Sequence, residues 1–284
     1  MAENHIIKPL DLEKCFFEEP EPLDFVFPGL LAGAVGALVG TGGSSKSAFA
    51  LQGGIKVAGG PDLLDLAGID TDWTQASGRV VYVAAEDPEL LLRHRLHNLG
   101  SRLSSEERQN LAGQLEVLPC NGLGLDVSSE SWKQWLYSVA DGARLVIIDT
   151  LRRVHQLDEN ESGAMASLIG LLESVCYRTG TSVLYVHHTN KAGAVTGEAT
   201  ATRGSSVLTD NVRLQLNLVT MQPDEAKKLK VDDDDRKRYV RLVYAKTNYC
   251  APYADRWYKR ADKGILVPHG FDLTKRGQGG GYSC

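Results

Sequence analysis

At 284 residues, with 43% apolar and 24% charged residues and a net charge of -5, the chain can bury a full core as one large domain or two small ones. No apolar run approaches the roughly eighteen residues of a membrane span, and the acidic start (Asp11, Glu13, Glu18, Glu19, Glu21) is unlike a secretory signal, so no membrane association is expected. The mild acidity gives no global reason for nucleic-acid binding, although a local basic channel is compatible with it, and five scattered cysteines without CxxC spacing read as thiols of a reducing, cytoplasmic setting.

Residues 1–29 are polar and proline-containing and read as an extended lead-in. From Leu30 onward, short apolar runs alternate with helical segments. Strands are predicted over Ala34–Val39, Arg79–Ala84, Leu145–Asp149, Ser182–His187, Val212–Leu218 and Tyr239–Ala245. Helices are predicted over Ser47–Ala58, Pro88–Leu99, Glu130–Ala140 and Met165–Thr179. Strands that are apolar on both faces imply an α/β fold with a mostly parallel sheet. The last two strands have no obvious helix between them and read as a hairpin with a charged tip, which makes a C-terminal antiparallel extension. A core over residues 30–270 and a glycine-rich tail over 271–284 complete the chain.

The strongest motif follows the first strand. Gly40-Thr41-Gly42-Gly43-Ser44-Ser45-Lys46-Ser47 matches the phosphate-loop pattern G-x-x-x-x-G-K-[ST] except that Ser45 stands where glycine is usual. Such a loop aims backbone N–H groups and a helix N-terminus at phosphates. Lys46 would reach the β and γ phosphates, and the Ser47 hydroxyl would ligate Mg²⁺, so ATP and Mg²⁺ are the expected ligands. Serine before the lysine is expected to lie near helical conformation, where a side chain costs little. The competing reading is a glycine-rich turn before a core helix.

Later strand ends carry matching chemistry. Glu86 is placed to polarise an attacking water, with Asp87-Pro88 either orienting backbone or capping the next helix. Asp149 ends an apolar run and would bind magnesium-bound water or Ser47; otherwise it is a turn residue. Of His187 and His188, one imidazole senses the γ-phosphate or packs ordinarily; the pair lacks the third ligand of a metal site. The polar loop 189–206 holds Lys191 and Arg203, which would pair with phosphates of single-stranded DNA or sit on an ordinary surface loop. Arg152 and Arg153 either contact DNA or form an interface with Asp158 and Glu159. The late aromatics Tyr249, Tyr253, Trp257 and Tyr258 favour core closure or subunit packing over base stacking.

Taken in order, these stretches resemble the RecA-fold hexameric helicases, most closely the RepA replicative helicases of broad-host-range plasmids. The resemblance covers about residues 22–262 and rests on Pro22-Leu23-Asp24, Gly33-Ala34-Val35-Gly36, Gly59-Gly60-Pro61-Asp62, Ala85-Glu86-Asp87-Pro88, His94-Arg95-Leu96-His97 and Asp149-Thr150-Leu151-Arg152-Arg153. It continues through His187-His188, Arg203-Gly204-Ser205-Ser206, Asp210-Asn211-Val212-Arg213 and Lys246-Thr247-Asn248-Tyr249. The resemblance implies a RecA-like P-loop core and a homohexamer that couples ATP hydrolysis to unwinding on single-stranded DNA, with plasmid initiator and primase proteins as partners. It implies that Lys46 and Ser47 hold phosphates and Mg²⁺, Glu86 activates water, Asp149 supports the metal and His188 senses the γ-phosphate. Arg213 becomes an arginine finger acting on a neighbour's nucleotide, assisted by Lys246. From the residues alone, Arg213 is a strand-edge arginine that either pairs with Asp210 or serves function. The region near Arg152 and Arg153, and the loop after the histidines, would face DNA. Ser45 departs from the family's glycine. The 29 residues before the core are too few for a separate primase- or origin-binding domain.

Overall fold

The computed structural model describes residues 8–70, 76–189, 207–251 and 253–271. A short helix α1 (Leu12–Phe17) and a two-stranded ribbon, β1 (Phe25–Phe27) with β2 (Leu30–Leu31), precede the main sheet. The lead-in is therefore not wholly extended. Asp11 caps α1 by accepting from the Lys14 amide, a local signal a composition reading overlooks.

The core follows as β3 (Val35–Gly40), α2 (Lys46–Val57), β4 (Val80–Ala84), α3 (Glu89–Gly100), α4 (Ser105–Gln114), β5 (Leu115–Pro119), α5 (Glu130–Ala140), β6 (Leu145–Asp149), α6 (Ser162–Thr179) and β7 (Ser182–His188). Then come α7 (Val207–Asp210), β8 (Leu214–Thr220), α8 (Pro223–Leu229), α9 (Asp233–Arg236), β9 (Tyr239–Thr247), β10 (Arg256–Arg260) and β11 (Leu266–His269). Among the described residues nine strands form one sheet in the order β11-β10-β9-β8-β3-β7-β6-β4-β5. From β5 to β8 the pairs are parallel, and β8 to β11 are antiparallel. The mostly parallel sheet and its antiparallel C-terminal extension are as expected. The connection between β8 and β9 holds two short helices rather than a bare tip, because Gln222 and Glu225 form a capping box around Pro223.

Alternation along each strand sends successive side chains to opposite faces. Tyr82 and Ile147 join the core under α2, whereas Val81, Val83, Val146 and Ile148 join the core under α5 and α6. Both faces are covered, which is why these strands read as unbroken apolar runs. Late aromatics close this core: Tyr258 is fully buried edge-on to Phe49 at 5.7 Å, and Tyr253 donates to Asp70 at 2.6 Å.

What positions the site is register. Gly40 pairs with His188, Asp149 with Val186, and Ala84 with Asp149. The four strands β3, β7, β6 and β4 are consecutive in the sheet and run in the same direction, so their C-terminal ends lie in one row. In open α/β sheets ligands bind beyond that edge.

Candidate active site

The phosphate loop leaves β3 and enters α2 at Lys46. Two of its glycines are required for different reasons. A Cβ on Gly40 would stand 2.6 Å from the Leu218 carbonyl oxygen and 2.6 Å from Ser44 Oγ, and Gly43 has φ +74. Gly40→Ala is expected to destabilise the fold by about 1–3 kcal/mol through overpacking against backbone; a urea midpoint unchanged from wild type would contradict this.

Ser45 overturns one expectation. It adopts φ 69, ψ 25, the left-handed region, rather than a near-helical conformation. For a residue with a Cβ this conformation costs about 1–2 kcal/mol, so glycine is the natural occupant. The serine keeps the loop shape at that cost, and its Oγ accepts a hydrogen bond from Arg260 Nε at 2.8 Å.

Lys46 is buried, and its ammonium donates to the carbonyls of Gly40 and Thr41, each at 2.8 Å, and to His188 Nδ1 at 3.3 Å. Because Nδ1 accepts, His188 carries its proton on Nε2, which lies 3.2 Å from Glu86 Oε2 and donates to it. Lys46, His188 and Glu86 thus form one hydrogen-bonded chain across three strand ends. Burial pushes the Lys46 ammonium down to about 8, against the opposing pull of Asp149 and Glu86. Glu86 is held further by Asn121, whose amide donates to the Glu86 carbonyl at 2.5 Å.

Asp149 is buried and accepts from the Tyr82 hydroxyl through Oδ2, while its Oδ1 has no hydrogen-bond partner among the described residues. Burial raises its carboxyl, and the hydrogen bond from Tyr82, with the nearby Ser47 hydroxyl, counters the rise. An orphaned carboxylate oxygen next to a serine hydroxyl fits a hard cation such as Mg²⁺. Among the described residues no group of three histidine, cysteine or acidic side chains could hold a metal alone. Ser47 and Asp149 are the residues that would hold Mg²⁺, which would supply positive charge to a bound phosphate there.

The cleft bounded by these groups encloses about 330 Å³ and is lined by the loop residues 43–47 together with Glu86, Asp87, Arg95, Thr150, His188 and Gly264. Asp87 does not cap α3, where Pro88 is the N-cap without a side-chain bond. It pairs instead with Arg95, two turns into that helix. The sequence reading missed Arg95, Tyr82 and Arg260. Tyr82 was detectable as a hydroxyl in a buried strand, which must find a partner; Arg95 sits inside a quoted stretch but carried no assigned role.

Glu86, Thr150 and His188 also form the wall of a second, polar cavity of about 710 Å³ that contains the exposed Arg152 and Arg153. Neither arginine forms an ion pair with Asp158 or Glu159 among the described residues, although burial raises the Glu159 carboxyl and the charge of Arg152 opposes that rise. Lys191 and Arg203 lie outside the described residues. Arg213 and Lys246 are not brought to this cleft. Arg213 immediately precedes β8 and donates its amide to the Val35 carbonyl, at the start of β3. The phosphate loop lies at the other end of that strand, about 20 Å away at 3.3 Å per residue. Lys246 pairs with Gln215 and donates to the Asp210 carbonyl at 2.5 Å, so it shares the Arg213 end. The Arg213 side chain is exposed and forms no ion pair with Asp210 among the described residues.

A family model described as an AAA domain, AAA_25, matches residues 4–194. The chain belongs to the AAA_25 family. The fold of this AAA-domain protein is similar to the ATPase domain of G40P, with 14% sequence identity and a TM-score of 0.55 over 84% of this chain and 85% of that one. It is also similar to the RadB recombinase, with 14% identity and a TM-score of 0.54 over 84% of this chain and 92% of that one. At such low identity the likeness establishes the fold alone, a mixed α/β architecture with a mostly parallel central sheet.

Proposed function

We propose that this protein is an ATP-dependent hexameric DNA helicase of the plasmid RepA kind, hydrolysing ATP between subunits while moving on single-stranded DNA. The observation that carries this reading is the split of the reactive groups. Lys46, Ser47, Glu86, Asp149 and His188 meet at one end of the sheet, and Arg213 and Lys246 stand at the other. That placement, about 20 Å from the phosphate loop, supports a role on a neighbouring subunit's nucleotide rather than on their own. Glu86 takes the proton of the attacking water, His188 reports the γ-phosphate to the segment that follows it, and Arg213 of a neighbour meets developing charge. Self-association is further supported by α1, where Leu12, Phe16 and Phe17 are exposed with no described residue over them. The test is native mass with an ATP analogue, followed by unwinding of a forked duplex. A hexamer that opens the fork is the expected result; a monomer, or a hexamer without unwinding, contradicts the helicase reading.

The likeness to RadB keeps a second reading, a recombination ATPase without unwinding. The same fork assay separates the two. Arg152 and Arg153, which line the cavity beside Glu86 and His188, are proposed as DNA contacts, as are Lys191 and Arg203, which lie outside the described residues. Replacing Arg152 and Arg153 by alanine should weaken single-stranded DNA binding and flatten its salt dependence by about 0.7 per lost phosphate contact. An unchanged salt slope would remove them from the DNA path. Plasmid initiator and primase proteins are the proposed partners, and the cytoplasm the proposed setting.

Nucleotide affinity should also depend on pH. Phosphate beside Lys46 favours the charged ammonium, whose affinity for protons is low in the free protein at about 8. Above that pH, binding must take up a proton, so affinity falls as pH rises, by up to about tenfold per unit. Titrations with a fluorescent ATP analogue from pH 7 to pH 10 should show this; constant affinity would separate Lys46 from the phosphates.

A further inference from the structure

We propose that Arg260, on β10, is a positioning residue that holds the phosphate loop in the left-handed conformation Ser45 would otherwise leave. The proposal rests on the reading of that loop as a nucleotide site. The Arg260 guanidinium spans the loop and the antiparallel extension. Nε donates to Ser45 Oγ at 2.8 Å and Nη2 to the Gly43 carbonyl at 2.6 Å, gripping both sides of Ser44. Nη2 also reaches Thr220 Oγ1 at 3.3 Å, and Nη1 donates to the Lys237 carbonyl at 2.6 Å. The backbone of Arg260 is fixed independently, its amide donating to the Arg238 carbonyl at 2.7 Å within the β9–β10–β11 ladder. A rigid planar fork is therefore anchored on the extension and bonded at two points to the loop.

The need for that grip comes from Ser45. A glycine there adopts positive φ freely, but serine prefers the right-handed side. If Ser45 turned to that side, the amides of Lys46 and Ser47 would turn with it, away from the phosphates. Its hydroxyl supplies the acceptor that glycine lacks. Serine and arginine are thus one device: the residue that strains the loop also gives the extension a handle on it. It follows that Arg260 matters most when residue 45 has a side chain.

Hydrogen exchange across the phosphate loop of the nucleotide-free full chain tests this directly. Arg260→Gln and Ser45→Ala should each speed exchange of the loop amides by at least about fivefold. Arg260→Gln combined with Ser45→Gly should return to within about twofold of wild type. Affinity for a fluorescent ATP analogue should follow, falling about tenfold in Arg260→Gln and recovering in the double variant. A role confined to Thr220 and Lys237 would not be rescued by glycine at 45. Exchange that is equal in all variants, or equally fast in Arg260→Gln with serine or glycine at 45, overturns the proposal. Failure of the wild-type protein to bind the analogue would instead overturn the nucleotide reading, and the exchange comparison would still decide the role of Arg260.

Discussion

Lys46→Ala is expected to lower ATP turnover by about 10²–10³-fold or more, the scale on which losing a preorganised charge donor acts at a transition state. The folded protein should survive the change. Burial opposes the charge of Lys46, so removing it relieves a cost. The carbonyls it leaves behind keep other donors: Gly40 accepts from the Thr189 amide at 3.1 Å, and Thr41 from the Ser44 amide at 3.2 Å. A melting temperature near wild type with turnover gone identifies the effect as chemical. Turnover retained by a well-folded Lys46→Ala variant would sink the assignment of the cleft.

Arg213→Ala should have an effect at least as large on turnover, about 10³–10⁵-fold, on the proposed role as an arginine finger, which meets charge only as it develops. Its side chain is exposed, so stability should change by no more than about 0.5 kcal/mol, and nucleotide binding and ring assembly should persist. Glu86→Ala should be inactive for the complementary reason. Mixed rings of the two variants are the informative experiment. Wherever an Arg213→Ala subunit offers its intact Glu86 to a neighbour with an intact Arg213, one complete site forms. Recovery of turnover on mixing is the expected result, and no recovery at any ratio would count against action between subunits.

Most of the site was legible because its chemistry sits at the ends of apolar runs. The run before Asp149 matches β6 residue for residue, and parallel register then aligns Gly40, Glu86, Asp149 and His188 without further information. Segments with weak apolar patterns were less visible. α4 buries only Leu111, although Ser104 and Glu107 announced it as a capping box. β5 is a half-exposed edge strand, and β11 contains Pro268, which an edge strand tolerates. The conformation of Ser45 was hidden for a different reason. The contact that its side chain makes is with an arginine 215 residues away in sequence. Contacts of that kind are tertiary, and no local pattern carries them.

The central claim is that the cleft at residues 40–47 hydrolyses ATP in response to single-stranded DNA. Phosphate release by the purified full chain, with Mg²⁺ and ATP, should be measured with and without an unstructured oligonucleotide. The account predicts turnover that rises several-fold with the oligonucleotide, about as expected when DNA selects the ring state with Arg213 engaged, and that vanishes in Lys46→Ala. Hydrolysis indifferent to DNA, or none with either, would contradict it.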